Sequence, residues 1–168
     1  MSLTPSKLNA TVKENDLIEL DLKYGKVIIE LYSDKAPKHV QRIKEFCNEG
    51  FYNGLKFHRV IENFMVQTGD PRGNGTGASE KPNLKAEFND IQHKRGVVSM
   101  ARSSDPDSAN SQFFIVLDDA TYLDGEYTAF GKVVQGMEFI DMIKKGDSSN
   151  NGIVTNPDTI VKMSVLKK

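Results

Sequence analysis

The chain has one cysteine, Cys47, and no tryptophan among its 168 residues. A single thiol excludes an intrachain disulfide and a thiolate metal cluster, and it reads as a small buried apolar residue. Histidine is scarce too: His39, His58 and His93 stand far apart, without metal-ligand spacing. No sign of charge dominates. The net charge of −1 excludes the broad basic surface that holds nucleic acid or an anionic membrane. No apolar run approaches the ~18 residues of a membrane span. The first residues, Met1-Ser2-Leu3-Thr4-Pro5-Ser6-Lys7, lack the charged-then-apolar pattern of a signal peptide. These absences predict a cytoplasmic monomer without cofactor or metal. An exported form stays compatible, because a signal peptide removed beforehand leaves no trace.

What is present is ordinary for a globular domain, with 38% hydrophobic and 27% charged residues. A chain of this length buries roughly 70% of its unfolded surface as one domain. Residues 1–15 are polar and aperiodic and predict a loose N-terminal arm, leaving 16–168 as a single domain. Ile18, Leu20 and Leu22 alternate with Glu19 and Asp21. After Lys23-Tyr24-Gly25, Val27, Ile29 and Leu31 alternate again. Period two on both sides of a short turn is a β-hairpin. Val40, Ile43, Phe46 and Cys47 then recur at helical spacing, with Asp34 as expected N-cap, Pro37 in the first turn and Gly50 as stop. Further strands are expected near 55–61, 64–68, 97–101, 113–117, 129–134 and 159–166, with a second helix near 137–144. Residues 69–95 are rich in glycine, proline and asparagine, and a loop of that length in a compact domain is usually functional. About eight strands that do not alternate with helices favour an antiparallel sheet that protects its edges by closing. A β-barrel capped by two helices is the economical solution.

Two motifs invite a reading and fail it. Gly73-Asn74-Gly75-Thr76-Gly77 lacks the Gly-Lys-Ser/Thr ending and the following helix of a phosphate loop; a turn that lets backbone approach a ligand fits better. Ser111 lies in a strand-like run, and no Gly-x-Ser-x-Gly elbow exists for a hydrolase. More informative are Met65 with Gln67 and Gln112 with Phe114. Residues two apart share one face of a strand, so each pair sets oil beside a hydrogen-bonding group. Arg59 stands near them. A mixed face of this kind suits a ligand that is partly apolar and partly peptide-like.

These residues carry a resemblance. Phe57-His58-Arg59-Val60-Ile61-x-x-Phe64-Met65-x-Gln67-x-Gly69-Asp70, then Gly75-Thr76-Gly77, Ser99-Met100-Ala101, Ser111-Gln112-Phe113-Phe114-Ile115, Leu123-Asp124-Gly125 and Phe130-Gly131-Lys132-Val133 resemble the cyclophilin family of peptidyl-prolyl cis-trans isomerases, from about residue 17 to the end. The resemblance implies a mainly β fold, a closed eight-stranded antiparallel β-barrel capped by two α-helices, with an active groove on its outer face. It implies isomerisation of X-Pro bonds in proline-containing peptides and folding proteins. Phe64, Met65, Phe114 and Leu123 would hold the proline ring, and Arg59 would donate to the prolyl nitrogen. Gln67, Gln112, Gly75 and the run Ala101, Arg102 and Ser103 would fix the flanking peptide.

The chain departs from the eukaryotic family pattern at three groove positions: Tyr122 replaces a tryptophan, Tyr127 a histidine and Arg102 an asparagine. The replacements look more bacterial than animal. Loss of the indole N–H implies weak cyclosporin binding. They also raise a second expectation, a proline-binding module or chaperone with little turnover.

Overall fold

The computed structural model describes residues 16–166; the arm expected over 1–15 lies outside the described residues. Strands β1 (Leu17–Leu22) and β2 (Gly25–Leu31) form the expected hairpin, in register from Leu17 opposite Glu30 to Leu22 opposite Gly25. Period two puts Ile18, Leu20, Leu22, Val27, Ile29 and Leu31 all inside. The remaining strands are β3 (Arg59–Ile61), β4 (Met65–Thr68), β5 (Val97–Met100), β6 (Phe113–Val116), β7 (Ala129–Gln135) and β8 (Lys162–Val165). They form one sheet in the order β3-β4-β6-β5-β7-β2-β1-β8, with every ladder antiparallel.

The curled sheet is the expected barrel, with a seam. The end strands β3 and β8 do not share a ladder. Instead Gly54 and Phe57 donate to the carbonyls of Ile160 and Asp158, Ile160 donates back to Leu55, and Lys56 bridges Thr159. The expected strand at 55–61 is therefore shorter, its first half serving as the seam. β8 is likewise shorter than expected, and Val161 points outward, 57% exposed. Asp158 reinforces the seam by accepting from Tyr24 Oη (2.9 Å) and the Lys144 backbone (2.9 Å) and pairing with Lys23 (3.0 Å).

Helix α1 (Pro37–Glu49) buries the expected face of Val40, Ile43, Phe46 and Cys47, and burial pushes the Cys47 thiol up to about 12. Gly50 ends the helix in the left-handed region. Asp34 is not its N-cap. That position is Ala36, which has no side chain to cap with. The first-turn donors go instead to Glu87 from the long loop: Lys38 N–H at 3.2 Å and His39 N–H at 2.9 Å. A carboxylate at a helix N-terminus satisfies the orphan amides and the dipole together. His39 Nδ1 meets the same carboxylate at 2.5 Å. Arg42 is buried too, and its guanidinium reaches the Pro82 carbonyl at 2.7 Å. The second helix, α2 (Met137–Asp141), is shorter than expected, and Ile140 and Ile143 are buried.

Alternation splits the β3–β6 sheet into two apolar layers. Val60, Val66, Val98, Met100, Phe113 and Ile115 face the barrel interior. Met65, Val97, Phe114 and Val116 face outward and form a second cluster with Ala120 and Ala129. Such a layer on the outside of a barrel is where a groove can form.

Candidate active site

Register builds the site. Arg59 lies opposite Gln67, Gln67 opposite Phe114, and Phe114 opposite Ser99. One row thus crosses four strands on the outer face. The neighbouring row brings Ile61, Met65 and Val116 together. Phe64, Ala101, Leu123 and Tyr127 pack around this layer, and the Phe114 and Tyr127 rings meet edge to face at 5.8 Å.

A directed chain of hydrogen bonds polarises the row. Arg59 Nη1 donates to Gln67 Oε1 (3.1 Å), Gln67 Nε2 to Gln112 Oε1 (3.0 Å), and Gln112 Nε2 to the Gly75 and Gly77 carbonyls (3.1 and 3.0 Å). Arginine has donors only. The Gln67 oxygen must face it, and both amides are oriented in consequence. Arg59 is also held from the far side, where Nε donates to the Asn151 carbonyl (3.0 Å) and Nη2 to Asn151 Oδ1 (3.1 Å). Asn151 adopts φ 57°, a left-handed conformation that asparagine tolerates. Among the described residues three of the five guanidinium N–H groups are engaged, which leaves one on each terminal nitrogen. Burial lowers the Arg59 pKa, and arginine remains a cation at neutral pH.

The glycine-rich loop is an anchor for Gln112. Asp70, fully buried, accepts from the backbone N–H of Arg72 (2.8 Å), Asn74 (3.0 Å) and Gly75 (2.5 Å). Burial alone would raise this carboxyl, but the backbone donors outweigh it and hold its pKa below the usual range. The amides that could have cradled a phosphate are thus used on an internal anion. Gly75, at φ 93°, turns its carbonyl to Gln112 in a conformation that suits glycine.

Two adjoining cavities lie over the row. The smaller, about 170 Å³, is walled by Phe64, Met65, Phe114, Leu123 and Tyr127, with Arg59, Gln67, Ala101 and Arg102 at its polar margin. The larger, about 350 Å³, runs from Gln67, Ala101, Arg102 and Ser103 to Gly75, Gly77 and Gln112. Twelve of the thirteen expected site residues therefore line one cavity or the other. Tyr122 lines neither; it is 70% exposed at the rim, its ring 6.1 Å from that of Phe64.

Sequence reading missed several supporting groups. Asn151 sits in a turn remote from every motif. His93 is almost wholly buried and stacks 6.2 Å from Phe114. Its Nδ1 meets Asp124 Oδ1 at 2.9 Å and its Nε2 meets Ser99 Oγ at 2.8 Å, tying the turn that carries Leu123 to the strand beside Phe114. Burial would raise Asp124, but the His93 N–H and ring outweigh it and lower its pKa. The set has the connectivity of a hydrolytic triad, yet Ser99 is fully buried and lines neither cavity, so it works as a brace. His58 is buried beside Gly75, near Asp70 and Gln112, with neither ring nitrogen hydrogen-bonded among the described residues, and burial lowers its pKa. Among the described residues no group of three or more His, Cys, Asp or Glu side chains could hold a metal ion.

Comparison with known proteins bears on the family and the fold. Residues 17–165 match the family described as cyclophilin type peptidyl-prolyl cis-trans isomerase/CLD. A probable peptidyl-prolyl cis-trans isomerase of Brucella suis is 52% identical over 94% of this chain and 85% of its own length. A peptidyl-prolyl cis-trans isomerase of Acinetobacter baylyi is 38% identical over 89% and 82%. Among solved structures, a Cryptosporidium parvum cyclophilin type peptidyl-prolyl cis-trans isomerase, crystallised in the presence of the dipeptide Ala-Pro, superposes with TM-score 0.83 at 27% identity, covering 90% of this chain and 99% of that one. A cyclophilin from Hirschia baltica gives 0.82 at 25% identity, covering 98% and 81%.

Proposed function

The chain belongs to the cyclophilin-type peptidyl-prolyl cis-trans isomerase family, and from that premise we propose how its groove works. The protein is a peptidyl-prolyl cis-trans isomerase and binds proline-containing peptides. The alternative of a binding module with little turnover finds no support among the relatives.

Rotation about a peptide bond faces ~18–20 kcal/mol because the nitrogen lone pair is delocalised into the carbonyl, and uncatalysed X-Pro exchange takes roughly 10–100 s. No nucleophile is required, only preference for the twisted amide over both planar forms. The proline ring sits in the cavity of Phe64, Met65, Phe114 and Leu123. Arg59 donates one of its two uncommitted N–H groups to the prolyl nitrogen as the lone pair localises. That bond exists only near the twisted state, so it lowers the barrier rather than tightening substrate alone. Gln67 and Gln112, with backbone around Gly75 and Ala101–Ser103, hold the flanking peptide. A 10⁶-fold acceleration asks for about 8 kcal/mol, more than one charged bond supplies, so apolar burial in the pocket and exclusion of water contribute the rest. The observation that carries this reading is the double tether of Arg59, by Gln67 and Asn151, at the edge of an apolar pocket.

Arg59→Ala is expected to lose roughly 10²–10³ in kcat/KM with an unchanged melting temperature. A proline-isomerisation assay with near wild-type turnover in that variant would refute the role given to Arg59. The same reading makes the protein a monomeric folding helper of the cytoplasm. The single buried thiol suits a reducing compartment; slow refolding of a proline-limited client, sedimentation and cell fractionation test the three parts. Weak cyclosporin binding is expected because Tyr122 stands exposed at the rim without an indole N–H; tight inhibition of the wild type would overturn that.

A further inference from the structure

The larger cavity shares Gln67, Ala101 and Arg102 with the proline pocket. An extended peptide advances ~3.3 Å per residue, so a side chain within about three residues of the proline reaches it. Among the described residues its lining contains no aspartate or glutamate, and Arg102 is its one charged side chain. The Arg102 guanidinium is locked in place: Nε and Nη2 donate to the Glu126 carbonyl (3.0 and 2.7 Å), Nη1 donates to the Ser103 carbonyl (2.9 Å), and the plane lies 4.5 Å from the centre of the Tyr127 ring. All these partners are neutral, so the positive charge is positioned and not cancelled. The nearby Asp105 and Asp107 carboxylates do not line the cavity and accept from backbone amides, those of Asp107 and Ala86. Among the described residues Arg102 keeps one N–H on each terminal nitrogen for a ligand, the fork that suits a carboxylate.

We infer that Arg102 makes this isomerase selective for X-Pro peptides carrying an acidic side chain within about three residues of the proline, on the side that enters the larger cavity. The inference rests on the isomerase reading and names a substrate class for it. An amide of the same shape gains less, because only the carboxylate meets the charge. For a partly exposed pair the advantage is modest, about threefold at low salt.

The test compares peptides of one sequence with Glu or Gln at each of the three positions on either side of the proline. Isomerisation and NMR-titrated affinity are both measured, and the readout is the Glu:Gln ratio within each enzyme, so a general loss of activity cancels. The wild type is expected to favour Glu about threefold at one position, and less as salt rises. Arg102→Gln is expected to bring that ratio to one, while Arg102→Lys, which keeps the charge but not the fork, retains part of it. A ratio of one at every position in the wild type overturns the inference, as does a preference that survives in Arg102→Gln. Failure of the isomerase reading looks different: the wild type would turn over neither peptide, while the affinity ratio would still report on Arg102.

Discussion

Asn151 shows how a residue outside every motif can shape the chemistry. It holds two edges of the Arg59 guanidinium, through its carbonyl and its side chain, so the group proposed above to act on the substrate is oriented before binding. Asn151→Gly preserves the left-handed backbone and the carbonyl contact but removes Oδ1. The expected cost is one hydrogen bond to a charged group, about 1.5 kcal/mol, or roughly tenfold in kcat with little change in KM. Kinetics of the purified variant decide this, and an equal loss in KM alone would assign Asn151 to substrate binding. His93 was equally hidden in the sequence, and Ser99, although part of a motif, showed no sign of the bond it makes. A histidine in a loop and a serine in a strand carry no signal until the fold sets Nε2 2.8 Å from Oγ beneath Phe114.

Helix α1 and the loop of residues 70–77 depend on carboxylates that local patterns do not identify. Asp34 looked like the N-cap of α1 by position, whereas Glu87 does that work from far along the chain. Glu87→Ala should therefore destabilise the protein by about 1–2 kcal/mol, in the range of a lost cap, and Asp34→Ala by much less. Chemical denaturation of the two variants measures the contrast. Asp70 plays the corresponding part for the glycine-rich loop. Asp70→Asn weakens its hold on the Arg72, Asn74 and Gly75 amides, releasing the carbonyls that orient Gln112, so KM for peptides is expected to rise several-fold. Proton exchange at the Gly75 amide should accelerate in parallel.

The molecule as a whole should respond to acid in two steps. His39 and His58 are both buried, and desolvation lowers both pKa values from 6.5. The unfolded chain takes up those protons first, so stability present above about pH 6.5 declines as pH falls toward the lower folded values. Asp70 and Asp158 have pKa values held below 3.8, and for both burial is outweighed by hydrogen-bond donors. Their contribution is present above that value and is lost as pH falls through the folded pKa. Urea midpoints at pH 7.5, 5.5 and 3.5 should therefore fall in order, and His58→Gln should flatten the first interval. An unchanged midpoint between pH 7.5 and 5.5 would contradict neutral burial of both rings.

Strand alternation, the amphipathic face of α1 and the motifs around Arg59 and Phe114 were readable from residue order because each is local. Period two selects a face, period 3.6 a stripe, and the outer face of β4 and β6 followed from Met65 with Gln67 and Gln112 with Phe114. Closure of the seam through Asp158, capping of α1 by Glu87, the tether of Arg59 by Asn151 and the brace through His93 were not readable. Each joins groups separated by dozens of residues. Whether such groups meet depends on how the sheet curls and how loops cross its ends, and that is set by packing of the whole core. The residues that line the groove could be named from the chain, while those that hold them in position needed the folded molecule.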